Sequence, residues 1–141
     1  MRDLLKQIGG RAERLSVEET ARLQARWREE FAAGVADVPL GTDPGGHDWH
    51  VFSYGRAFAL AGDEAVSAYS AVEPVEFWIL PHGRGPGLDC VAGAFPDLRE
   101  RRRDAYVVPK SFEWTMVYTH ESDFGPYFTT REWSRTGLPD A

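Results

Sequence analysis

The stretch Phe112-Glu-Trp-Thr-Met-Val-Tyr-Thr-His-Glu121 (FEWTMVYTHE) alternates large apolar side chains with mostly polar ones along its length. Successive side chains of a β-strand point to opposite faces, so this period of two predicts a strand. Turn-forming residues follow in Glu121–Gly125, and Tyr127–Thr130 is long enough to return beside the first strand. A connection this short joins antiparallel strands only, so the sequence predicts a C-terminal β-hairpin.

Three further strands are expected before this hairpin. Val75–Leu80 is a nearly continuous apolar run, which is typical of a central strand covered on both faces. Pro81 ends that run. His50–Tyr54 and Ala105–Val108 have the composition of short strands.

The clearest helix signal follows Ser16-Val-Glu-Glu19, which has the spacing of a capping box. A single apolar stripe then recurs every four residues, at Leu23, Trp27 and Phe31. This spacing predicts an amphipathic helix from Ser16 to about Gly34. A second short helix is expected over Asp63–Val72, and a short charged one over Pro96–Arg103.

Helices that precede a hairpin-rich sheet indicate an α+β fold. We expect one domain with a mainly antiparallel sheet, covered by the N-terminal amphipathic helix and by the second short helix. The length of 141 residues is that of one domain. Residues 1–15 are expected to be an N-terminal extension and residues 131–141 a loose tail, with Trp133 holding its start.

Composition makes several classes of protein unfavourable. The 22 acidic and 16 basic residues give a net charge of −6, which disfavours general binding to nucleic acid. No run approaches the roughly 20 apolar residues of a membrane-spanning helix. Cys90 is the single cysteine, so neither an intramolecular disulfide nor a multi-cysteine zinc site is possible. These features favour a cytoplasmic protein with an inert, buried thiol.

The chain resembles a bacterial family of uncharacterised proteins, domain of unknown function 4275, from about residue 27 to residue 128. The segments that carry the resemblance are Trp49–Tyr54, the apolar strand that ends at His82, Ala105–Val108, Phe112–Glu121 and Gly125–Phe128. The resemblance implies a small bacterial domain and assigns no catalytic residue. Strands with Trp-Thr that end in a polar pair such as His-Glu also resemble those of toxin-immunity proteins.

If the protein is an enzyme, the best candidates for catalytic residues are His120 and Glu121, at the end of the most regular predicted strand. Histidine suits general-base catalysis because its pKa lies near physiological pH. Adjacent strand residues face opposite ways, so the two cooperate directly only if the strand ends before them. Asp123, His82 and His50 lie in segments that the folded chain could bring nearby. The alternative is a histidine that packs on aromatic rings.

The same residues could form a metal site only if His50, His82 and His120 converged with Glu121 or Asp123. They lack any recognised ligand spacing. We therefore expect no metal and no cofactor.

Net acidity, many aromatic residues and the lack of an assembled catalytic motif favour a non-enzymatic protein-binding domain, immunity-like or antitoxin-like. Its partner would be a basic protein such as a toxin. The residues proposed for binding are His50, His82, Asp123, Trp114 and Tyr127. The alternative is a small hydrolase that uses His120 with nearby carboxylate or histidine groups. The sequence leaves the oligomeric state open.

Overall fold

A computed structural model describes residues 10–31, 59–72, 76–81, 85–91, 104–119 and 126–136. The strands in these ranges are β1 (Arg11–Arg14), β2 (Leu60–Ala61), β3 (Phe77–Pro81), β4 (Leu88–Val91), β5 (Ala105–Pro109), β6 (Trp114–Tyr118) and β7 (Tyr127–Thr130). The helices are α1 (Val17–Phe31), α2 (Asp63–Ala71) and α3 (Arg131–Thr136).

The strands form one antiparallel sheet in the order β1-β4-β3-β5-β6-β7-β2. Strand β3 lies between β4 and β5, so the prediction of a central strand is confirmed. Strands β6 and β7 pair antiparallel, with Met116 opposite Phe128 and Val117 opposite Tyr127, which confirms the predicted hairpin. The arrangement confirms the α+β fold.

Helix α1 covers one face of the sheet. Ser16 caps it, because its Oγ accepts a hydrogen bond from the Glu19 N–H over 3.0 Å, as the capping-box spacing predicted. The apolar stripe faces the sheet, with Trp27 and Phe31 fully buried. They pack in a core cluster with Leu80, Tyr106, Val108, Phe112, Val117 and Tyr127.

Helix α2 covers the opposite face. Ala65 and Tyr69 are buried. The Tyr69 ring meets Trp114 and Tyr118 of β6 edge-on, at 5.9 and 6.1 Å between ring centroids. The sheet is therefore a middle layer between two helices, with a separate apolar core on each side.

Every residue of β6 is buried, so its polar positions do not mark a face exposed to water. Thr115 lies beneath α1, where its Oγ1 accepts a hydrogen bond from the Trp27 indole N–H over 2.9 Å. The same hydroxyl donates to the Val107 carbonyl over 3.0 Å. A threonine is tolerated there because both hydrogen-bonding roles of its hydroxyl are filled.

Both ends of the described chain form regular secondary structure. Residues 11–14 of the expected extension form β1, which pairs with β4. The first six residues of the expected loose tail form α3, whose Trp133 N–H donates to Thr130 Oγ1 over 3.1 Å. The Trp133 ring packs edge-on against Phe128, so this segment adds to the core.

Some expected elements lie outside the described residues: the strand His50–Tyr54, the charged helix Pro96–Arg103 and the turn Glu121–Gly125. In the ranges that the structure does describe, no helix has the length and apolar character needed to cross a membrane.

Candidate binding site

Most of the residues that the sequence suggested for a site lie outside the described ranges: His50, His82, His120, Glu121 and Asp123. The hydrolase hypothesis rests on these side chains and stays a prediction. Among the described residues, no group of three or more His, Cys, Asp or Glu side chains could hold a metal ion.

The two remaining candidates, Trp114 and Tyr127, lie on opposite faces of the sheet and do not share a site. Tyr127 is opposite Val117 and belongs to the core beneath α1. Its burial raises the pKa of the phenol above the ordinary value. Trp114 belongs to the core beneath α2, where its ring stacks on Phe128 with centroids 5.7 Å apart.

Trp114 also reaches the surface, at a shallow depression of about 490 Å³. We call this feature the β5–β6 depression, because the turn between those two strands forms much of its wall. Its lining residues are Val72, Glu76, Pro109, Lys110, Ser111, Glu113 and Trp114. They come from the end of α2, the start of β3 and the β5–β6 turn, so the pairing of β3 with β5 assembles the depression.

The β5–β6 turn is held in a specific conformation. The Phe112 N–H donates to the Pro109 carbonyl over 2.9 Å, and the Lys110 N–H donates to the Glu76 carbonyl over 3.2 Å. Phe112 has a φ of 58°, a left-handed conformation that costs about 1 kcal/mol for a residue with a side chain. Its ring is fully buried beside Phe31, and this packing offsets the strain.

The other side of the turn is anchored by α3. The Arg131 N–H donates to the Glu113 carbonyl over 2.8 Å. With the backbone fixed in this way, the side chains of Ser111 and Glu113 are left exposed.

Lys110 lines the depression, but its ammonium group is neutralised elsewhere. Its Nζ lies 3.0 Å from Asp89 Oδ1 and 5.6 Å from the centroid of the Trp78 ring. Asp89 and Trp78 are cross-strand neighbours on β4 and β3. Glu76 and Glu113, both exposed, then remain as the uncompensated charges of the rim within the described part of the chain.

The depression therefore combines two carboxylates with apolar surface from Val72, Pro109 and Trp114. Lysine and arginine side chains have the matching form, an apolar stem that carries a cationic head. Trp114 is only 8% exposed, so its part is to offer the edge of a ring already fixed by the core.

Trp114 is the one lining residue of the depression that the sequence also suggested for binding, and neither glutamate was among the residues suggested. Glu76 precedes an apolar strand, and Glu113 looks like one of several polar positions in an alternating stretch. Nothing in either local pattern distinguishes a rim carboxylate from an ordinary exposed one. Their proximity to the same depression depends on strand pairing that is distant in sequence.

Cys90 is not a candidate nucleophile. It is fully buried, which confirms the prediction of a buried thiol. The pKa of the thiol is raised to about 12, mainly by burial and to a smaller extent by the charge of Asp89, while the charge of Lys110 acts in the opposite direction. The group is protonated at physiological pH and does not react as a thiolate.

No curated protein and no solved structure matches the chain. The model of the family described as "Domain of unknown function (DUF4275)" matches residues 12–128. This range runs from β1 into β7 and includes every residue that lines the β5–β6 depression. The match covers most of the chain, and the chain belongs to the DUF4275 family.

Proposed function

We propose that this domain is a non-enzymatic protein-binding domain, immunity-like or antitoxin-like, whose partner is a basic protein in the bacterial cytoplasm. The β5–β6 depression receives a lysine or arginine side chain of that partner. The observation that carries the proposal is the pair of exposed glutamates, Glu76 and Glu113, around an apolar depression whose own lysine is already paired with Asp89.

The overall charge of the domain also favours recognition of a basic partner. A net charge of −6 attracts a basic partner over distances of about a Debye length, roughly 8–10 Å at physiological salt. Charge complementarity of this kind mainly raises the association rate, whereas apolar contacts slow dissociation. Trp114 and Val72 offer such contacts within the depression.

The rigidity of the rim adds to the proposal. Phe112 is buried, and the backbone of the turn is bonded to Glu76 and to Arg131. A preformed rim loses little conformational freedom when it binds, so more of the interaction energy is kept as affinity.

The test is affinity capture from a lysate of the source bacterium, followed by titration of the recovered partner. The double reversal Glu76→Lys/Glu113→Lys is compared with Glu18→Lys/Glu29→Lys, which makes the same change of net charge on exposed positions of α1. We expect the wild type and the α1 variant to retain a basic partner and the depression variant to lose it.

Two results would contradict the proposal in different ways. Equal capture by the depression variant would show that the partner binds elsewhere on the domain. Recovery of no specific basic protein by the wild type would remove the protein-binding function itself. A further expectation is that the association rate falls steeply with ionic strength while the dissociation rate changes little.

A further inference from the structure

Strand β1 forms one edge of the sheet, and within the described residues no strand pairs with its outer side. Such an edge presents unpaired N–H and C=O groups to any extended chain that matches them. Three of the four residues of β1, namely Arg11, Glu13 and Arg14, are charged and exposed. Charged edge residues oppose indiscriminate pairing, so the order of these charges determines which partner strand is accepted.

The pairing of β1 with β4 shows which main-chain groups point outward. The Leu15 N–H donates to the Gly87 carbonyl over 2.9 Å, and this pair continues the register of Arg14 opposite Leu88. Hydrogen-bonded pairs alternate along an antiparallel ladder. Arg11 and Glu13 therefore direct their main-chain groups toward β4. Those of Gly10, Ala12 and Arg14 point to the open edge.

A second copy of β1 fits this edge in one two-fold register. A two-fold axis must pair residues that both point outward or both point inward, so within β1 it passes beside Arg11, Ala12, Glu13 or Arg14. An axis beside Arg11 or Arg14 brings two arginines together, and an axis beside Glu13 brings two glutamates together. With the axis beside Ala12, Arg11 faces Glu13 of the second copy, and Glu13 faces Arg11 of the second copy.

The register beside Ala12 satisfies the backbone as well as the charges. Ala12 exchanges two main-chain hydrogen bonds with its own counterpart. Gly10 and Arg14 of each copy exchange bonds with Arg14 and Gly10 of the other. The two Arg–Glu pairs fall at the non-hydrogen-bonded positions, where opposite side chains are closest.

We infer that two copies of this chain associate through antiparallel pairing of their β1 strands, centred on Ala12, to form a continuous sheet across the dimer. Strand β4 gives this pairing a further electrostatic reason. Glu13 lies directly opposite Asp89, an unfavourable arrangement of like charges. Lys110 neutralises Asp89 within the chain. Arg11 of the second copy supplies the cation that faces Glu13.

The experiment is sedimentation equilibrium of the full-length protein over a concentration series. We expect the wild type to dimerise reversibly and to dissociate as salt is added. Glu13→Arg and Arg11→Glu each replace two attractive pairs by repulsive ones and should weaken association by about tenfold or more. The double variant Arg11→Glu/Glu13→Arg restores opposite charges at both positions and should restore the dimer.

Arg14→Glu is the matched control. It makes the same charge change as Arg11→Glu on the same strand, but Arg14 faces Gly10 of the second copy in the inferred register. We expect this variant to dimerise like the wild type. Ala12→Pro removes an N–H that points outward and no bond to β4, so it should prevent association. Circular dichroism and thermal unfolding establish that each variant is folded.

Three outcomes would overturn the inference. The first is a wild type that stays monomeric at every accessible concentration. Slow hydrogen exchange of the Ala12 and Arg14 amides in such a monomer would show that another part of the chain covers the open edge of β1. The second is a dimer that neither single reversal weakens. The third is failure of the folded double variant to recover the association lost in the single variants.

Discussion

The indole N–H of Trp27 donates to Oγ1 of Thr115 over 2.9 Å, and this hydrogen bond joins α1 to the middle of the sheet. Both residues are almost fully buried, and they are 88 positions apart in sequence. The Trp27 ring also meets Tyr106 edge-on at 4.6 Å, so the indole is fixed by a polar and an aromatic contact together. The position of α1 on the sheet is therefore fixed by a directional hydrogen bond as well as by the burial of apolar surface.

Thr115→Val tests this bond with little change of side-chain volume. Valine removes the acceptor of the Trp27 N–H and the donor to the Val107 carbonyl. We expect the free energy of unfolding to fall by about 1–3 kcal/mol, measured by urea denaturation. In a Trp27→Phe background, which lacks the N–H, the same substitution should cost about 1 kcal/mol less. An equal loss of unfolding free energy in the two backgrounds would contradict an energetic coupling between Thr115 and Trp27.

Gly87→Ala should destabilise the junction where β1, α1 and β4 meet. A Cβ at this position would lie 2.9 Å from the Ile79 carbonyl oxygen, which belongs to the backbone of β3 and has little freedom to move. The Gly87 N–H donates to Thr20 Oγ1 over 2.8 Å, so a shift of the glycine would also strain the start of α1.

We expect a loss of about 1–3 kcal/mol in unfolding free energy for Gly87→Ala, as for other overpacked sites. Pro86→Ala is the control, because Pro86 is exposed and adjacent in the chain. If both variants unfold at the same denaturant concentration, the close approach of residue 87 to the Ile79 carbonyl oxygen does not determine the loss of stability.

The elements that could be predicted from sequence are those whose signal is local. The stripe of Leu23, Trp27 and Phe31 recurs every four residues along α1, and the Ser16 cap lies at the start of the helix. The β6–β7 hairpin is specified by a period of two on either side of a short connection. In each case the residues that form the element also carry its pattern.

Strand β4 shows why other elements escaped prediction. Leu88–Val91 lies in a stretch that reads as a glycine- and proline-rich loop, and four residues are too few to establish a period. It is a strand because β1 and β3 pair with it on either side. The same holds for the β5–β6 depression, whose residues 72, 76, 109–111, 113 and 114 meet only after β3 has paired with β5.

Ser16→Ala tests the cap of α1. The Ser16 hydroxyl accepts the Glu19 N–H, and its removal should lower the free energy of unfolding by about 1 kcal/mol. Ser16→Asp retains an acceptor and adds a negative charge at the helix N-terminus, so it should keep most of the stability. Urea denaturation of the three proteins distinguishes these cases. Equal loss in both variants would show that the side-chain cap is not what stabilises α1.

Cys90 predicts how stability depends on alkaline pH. Burial and the neighbouring Asp89 raise the pKa of its thiol from 9.0 to about 12 in the folded protein. Between these two values the unfolded chain releases the thiol proton while the folded chain keeps it. The unfolded state then binds fewer protons, so the free energy of unfolding falls as the pH rises above about 9. Below pH 9 both states hold the proton, and Cys90 contributes no slope.

The comparison with Cys90→Ala isolates this effect, because alanine has no proton to release. We expect the alanine variant to start with lower stability, since it leaves a small cavity, and to lose less stability between pH 8 and pH 10 than the wild type. The raised pKa of Tyr127 adds a slope above pH 10 in both proteins and cancels in the comparison. A thiol reagent at pH 8 should modify Cys90 only after urea is added, because the native thiol is buried and protonated. Rapid modification of the native protein, or identical alkaline slopes in the two proteins, would show that the thiol is accessible to solvent and that its pKa is close to its ordinary value.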